Sequence, residues 1–144
     1  MDNAGIEILK KMLATRGEIE FAYLFGSHAK GTAGRLSDID IAVYVREKTL
    51  SLKRRYPYGY KAALASDLMK ILNTNDVDIV VLNEAKPFLR HQAIKYGMLL
   101  KRGNEELRIS FWVDTLQRYD DAKRLMKIQH DCMKKRIDRG TFGV

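Results

Sequence analysis

The stretch GSHAKGTAGRLSDID, residues 26–40, constrains this chain more than any other, because it lies between two runs that read as strands. Before it, IEFAYLF from Ile19 to Phe25 is rich in aromatic and branched residues and ends at Gly26-Ser27, the pattern of a strand entering a tight turn. After it, Asp38-Ile39-Asp40 alternates acidic and apolar residues, and Ile41-Ala42-Val43-Tyr44-Val45 continues as a nearly apolar run, as a central strand does. A Gly-Ser turn that opens a short helix over about 27–32 offers free N–H groups, a helix dipole and a hydroxyl, which together can hold phosphate oxygens. Asp38 and Asp40, two apart on the predicted strand, point to one face. Like charges held that close are costly unless a cation sits between them. Mg²⁺ suits such a pair, since it takes hard oxygen ligands from a few carboxylates and completes its shell with substrate phosphates.

A third carboxylate, Asp78, belongs to the next strand-like run, Val77 to Leu82, and reaches the same face if the two strands are neighbours. Asp76 stands before that run and reads as a turn or capping residue. An isolated Asp-x-Asp is more simply a solvated strand edge. Here the pair heads a buried strand with ten residues separating it from the Gly-Ser turn, which favours a site.

Around this centre the periodicities predict an α+β domain spanning 1–144, with a small mixed sheet. Ile6, Leu9, Met12 and Leu13 predict a first helix over about 3–15. A basic loop (Lys53, Arg54, Arg55) leads into a helix carrying Leu64, Leu68 and Leu72. Pro87 and Gly97 bracket another helix, and Met98–Arg102 reads as a short strand or connector. From about 104 to 139 one long helix or two follow, with an apolar stripe through Ile109, Trp112, Leu116, Tyr119, Met126, Met133 and Ile137. A second stripe, Leu125, Ile128 and Cys132, calls for another surface, in the domain's own core or on another subunit.

Composition narrows the setting. One cysteine, Cys132, forms no internal disulfide, and no Cys/His spacing suits zinc, so a reducing cytoplasm is expected. The acidic, polar start MDNAG is not a secretory leader, and no apolar run approaches the ~18–20 residues of a membrane span. The net charge of +8 gathers in the last third without interleaved stacking aromatics, which predicts a solvated or protein-facing surface rather than direct nucleic-acid binding.

Gly26-Ser27, ten residues, then Asp38-Ile39-Asp40 resembles the signature of polymerase-beta-type nucleotidyltransferases, and the short chain is most similar to the minimal nucleotidyltransferases. The run Val77–Asn83, with Pro87 and Gly97-x-Leu99-Leu100, resembles the family's third-carboxylate strand and the segment after it. The tail from Arg118-Tyr119-Asp120 to Ile137 resembles the C-terminal helix of antitoxins of the MntA type, which pair with HEPN-domain RNase toxins. The resemblance implies a polymerase-beta-like fold and transfer of AMP from ATP to a toxin tyrosine hydroxyl, silencing the RNase. It implies two Mg²⁺ ions held by Asp38, Asp40 and Asp78, with Asp78 helping to activate the hydroxyl, and a triphosphate held by Gly26, Ser27 and Lys30. The chain departs from many relatives in having Lys30 and Thr32 where they carry an arginine and an acidic residue, so a forked contact to phosphate becomes a point charge. Arg35 faces the triphosphate or solvent.

Two other readings stay open: a nucleotidyltransferase acting on a small molecule or an RNA end, and a module that blocks a toxin by occlusion alone. Arg124 and His130 have the R-x5-H spacing of HEPN RNases, but six residues turn a helix by roughly 600°, so the two do not share a face. His28 and His91 read as surface or capping residues.

Overall fold

The computed structural model describes residues 2–30, 38–51 and 59–139. The chain runs α1 (Asn3–Ala14), β1 (Ile19–Phe25), α2 (Ser27–Lys30), β2 (Ile39–Val45), α3 (Glu47–Leu50), α4 (Tyr60–Leu72), β3 (Val77–Val81), α5 (Pro87–Tyr96), β4 (Met98–Lys101) and α6 (Glu105–Asp138). The strands form one mixed sheet in the order β3-β2-β1-β4. β1 is antiparallel to β2 and β4, whereas β2 and β3 are parallel, joined by a crossover through α4. The expected α+β architecture, central second strand and long final helix are all present.

Local chemistry accounts for the boundaries. Asp2 caps α1 by accepting from the Gly5 N–H at 2.8 Å, and Asn104 caps α6 by accepting from Leu107. α4 stops at Asn73, which takes the left-handed conformation that asparagine tolerates. Pro87 opens α5, where its missing N–H costs nothing.

Strand alternation sorts the side chains into two layers. Ile41, Val43, Val45 and Ile79 meet Leu9 and Leu13 of α1 and Leu64 and Leu68 of α4. On the opposite face, Phe21, Tyr23, Phe25 and Ala42 meet Ala93 of α5 and Phe111 of α6. Phe21 stacks on Tyr44 with ring centres 4.9 Å apart, and Phe111 tilts against both.

Three expectations change. α3 was not anticipated between the second strand and the basic loop, whose residues 53–55 lie outside the described residues. The buried residues of α6 are Phe111 and Thr115, with Leu107 and Arg108 partly covered, while Ile109 and Leu116, placed by periodicity on the packing stripe, are exposed. A polar face is tolerable there because Thr115 donates to the Phe111 carbonyl in its own helix at 2.8 Å and Arg108 donates to the Tyr23 hydroxyl and to Glu105. The Leu125–Cys132 stripe does not pack on the core: from Lys123 to Arg139 every residue is exposed. A helix of 34 residues is about 51 Å long and outruns the body it starts from. Among the described residues, no helix is long and apolar enough to cross a membrane.

Candidate active site

The acidic centre lies where the C-terminal end of β1 meets the N-terminal ends of β2 and β3. Asp40 is opposite Phe25 in the antiparallel β1–β2 register and opposite Asp78 in the parallel β2–β3 register. Register partners on neighbouring strands point to the same side, so the two carboxylates share the face that also carries Ala42 and Val80. Asp38 stands one residue before β2 rather than on it, so strand alternation does not fix its direction. It is exposed, and its charge nonetheless acts on Asp40.

The Asp40 carboxyl is held above the usual carboxylate range. Partial burial is the largest cause, followed by the negative charges of Asp78 and then Asp38; His28 works in the opposite sense. Asp78 and Asp38 therefore each repel Asp40, a repulsion that a bound cation would remove. Among the described residues, no three His, Cys, Asp or Glu side chains are gathered as a metal cage. An open, oxygen-only face suits an ion that takes the rest of its shell from substrate phosphates.

Gly26 follows β1 directly with φ +74°, a conformation natural to glycine. A Cβ there would meet the Asp40 Oδ2 and push the carboxylate aside, so glycine, favoured by the positive φ, leaves the carboxylate where it stands beside the turn. α2 starts at the next residue, so the start of this short helix follows directly on the turn that passes Asp40. The side chains of Ser27 and Lys30, and Thr32 and Arg35 altogether, lie outside what is described.

Asp76 behaves as a turn residue: its carbonyl accepts from the Ile39 N–H at 2.7 Å and its N–H donates to Thr74. That bond joins the heads of β2 and β3 and supports the Asp40–Asp78 register. At the other end, Asn83 grips Val45 twice, accepting from its N–H at 2.9 Å and donating to its carbonyl at 2.7 Å. Neither this clamp nor the role of His28, partly covered on α2 within electrostatic reach of Asp40, was read from the sequence. The position of His28 directly after Gly-Ser was the available signal.

His91 is not a surface group. It is buried, with its ring stacked 3.7 Å from that of Tyr119, which ties α5 to α6. Arg124 and His130 both lie exposed on α6, and His130 is near Asp131.

Residues 7–106 match the sequence profile of the family described as polymerase beta, nucleotidyltransferase. The chain is 34% identical over 113 residues to the protein adenylyltransferase MntA of Shewanella oneidensis, covering 78% of this chain and 75% of that protein. A chain in the crystal structure of a toxin–antitoxin with AMP-PNP superposes with a TM-score of 0.69 at 30% identity, over 92% of this chain and 99% of that one. A chain in the complex of tri-AMPylated Shewanella oneidensis HEPN toxin with MNT antitoxin gives a TM-score of 0.64 at 27% identity, over 89% and 98%.

Proposed function

The chain belongs to the polymerase beta nucleotidyltransferase family, and on that premise we propose that it is an antitoxin which moves AMP from ATP to a tyrosine hydroxyl of a HEPN-domain toxin. The observation that carries the proposal is the Asp40–Asp78 register beside Gly26, which gathers an acidic pair and a phosphate-accepting turn at one end of the sheet. The likeness to MntA and to a complex with an AMPylated HEPN toxin supports the choice of acceptor.

In this reading Asp38, Asp40 and Asp78 hold divalent cations, with Mg²⁺ in two places. Bound there, the metal neutralises triphosphate charge and makes the acceptor hydroxyl more acidic. Gly26 and the first turn of α2 hold the β- and γ-phosphates through backbone N–H groups, and Ser27 and Lys30 add a hydroxyl and a charge. The tyrosine oxygen attacks the α-phosphorus in line. A P–O bond to the acceptor forms, the bond to the bridging pyrophosphate oxygen breaks, and the hydroxyl proton passes to the Asp78 carboxylate. His28, on α2, opposes in part the influences that raise the Asp40 carboxyl. ATP as substrate and a lone exposed cysteine suit the cytoplasm.

Incubation of the purified chain with α-labelled ATP, Mg²⁺ and the HEPN protein encoded beside it should place label on that protein. Labelling of RNA or of a small molecule instead would reassign the acceptor, and protection without any labelling would favour occlusion.

A further inference from the structure

Among the described residues, nothing covers the apolar surface of the distal half of α6. Met126, Met133 and Ile137 are 56%, 52% and 56% exposed, and Leu125 and Ile128 beside them 57% and 54%. Their spacing gives this surface its meaning. Phe111, Thr115, Tyr119 and Ala122 face the body, and steps of three, four and seven carry the same seam onward to Met126, Met133 and Ile137. The exposed stripe thus continues an interface already formed: Phe111 lies under Arg90, and Tyr119 against Phe88 and His91 of α5. Where α5 begins at Pro87 its contact with α6 ends, and among the described residues the seam runs on exposed.

Charge selects what can cover it. Lys123, Lys127 and Lys134 each follow a seam residue by one position, which places them together along one rim. Over 123–139 there are seven lysines and arginines against two aspartates. A second copy packed antiparallel would lay lysine rim on lysine rim, a like-charge arrangement that coiled-coil pairing avoids.

We infer that the distal half of α6 is a docking arm for an amphipathic helix of the AMP-accepting protein, one with apolar residues at heptad spacing and acidic residues along one rim. The identity of the partner rests on the function proposed above; the surface and its chemistry do not. The arm holds the acceptor by a helix away from the reacting tyrosine and leaves the catalytic end of the sheet free for ATP.

The test uses the full chain carrying Met126→Glu and Met133→Glu together, and separately Lys123→Glu, Lys127→Glu and Lys134→Glu. All these residues are exposed, so the melting temperature and ATP affinity serve as folding controls. The acceptor is the neighbouring HEPN protein, with binding read by calorimetry in the absence of ATP and transfer read by labelling. The expected result is at least tenfold weaker binding for each variant, a raised KM for the protein acceptor, and unchanged kcat and ATP affinity. Wild-type binding that weakens as salt rises from 50 to 300 mM belongs to the same expectation. Unchanged binding by both variants overturns the inference. So does a wild-type homodimer that the methionine variant dissolves, or an RNA shift that the lysine variant abolishes without effect on the protein partner. Because binding is measured without ATP, a chain that binds through the arm but transfers no AMP would sink the catalytic proposal and leave the arm standing.

Discussion

Asp40 carries the sharpest consequence at the scale of single residues. Its folded pKa is raised by burial and by Asp78 and Asp38, so the metal-free native state holds its proton more tightly than the unfolded chain does. The stability deficit opens as pH rises through the unfolded value near 4 and persists at neutral pH, where ionised Asp40 opposes folding. Asp40→Asn should therefore raise the melting temperature of the metal-free protein at pH 7 while cutting AMP transfer by at least about a hundredfold, more than the loss typical of an outer-shell partner. Mg²⁺ should stabilise the wild type and leave that variant unchanged in a thermal scan. Gly26→Ala strains a left-handed position by roughly 1–2 kcal/mol and drives a methyl into the Asp40 carboxylate. Its transfer rate should fall by about 10²-fold, the cost of a reacting group displaced by about an ångström. The Asp40–Asp78 pairing was legible because residue type and strand pattern agreed, whereas Asp38 stands one residue before β2 and not on it as the pattern predicted. The contact between Gly26 and Asp40 was not, since a sequence carries no signal for a φ angle or for the distance between a turn and the neighbouring strand.

Elements were legible where their chemistry was uniform. β1 is bounded as its aromatic and branched composition predicts, and Pro87 and Gly97 mark α5 as they stand in the sequence. The face of α6 was misread because an apolar tally cannot see that a threonine bonded within its own turn and an arginine donating to Tyr23 make a buried surface. Two tests belong here. Asn83→Ala removes both bonds to Val45, leaving that backbone unpaired at a strand end, and should cost about 1–3 kcal/mol in urea unfolding. His91, stacked between the helices, has its pKa lowered first by burial and then by Lys95 and Lys123, with Asp120 opposing. Its stabilising contribution is complete above the unfolded value near 6.5 and fades as pH drops below it, because the unfolded chain takes the proton first. The link between α5 and α6 should loosen over that range, and His91→Phe, which keeps the stacking without the charge, should flatten the pH dependence of the melting temperature.

As a whole the molecule is a three-layered body, a sheet between two layers of helices, with a helical arm. The body is held by α1 and α4 on one face of the sheet and by α5 and the first half of α6 on the other. Leu64 and Leu68 are fully buried, and Leu64→Ala should destabilise by about 2–5 kcal/mol. Truncation after Ala122 should leave the cooperative unfolding of the body nearly unchanged while lowering helical circular dichroism, since residues 123–139 are all exposed. On the proposed account, catalysis and partner holding fall to different parts of one small chain.

The central claim is that the acidic end of the sheet transfers AMP to a protein. Its most direct measurement is intact-mass spectrometry of the neighbouring HEPN protein after incubation with ATP, Mg²⁺ and either the wild-type chain or the Asp40→Asn and Asp78→Asn variants. The account predicts whole AMP increments on that protein, located on tyrosine, with the wild type only. Increments that persist with both variants, or an unmodified protein under conditions in which the wild-type chain binds ATP, would contradict it.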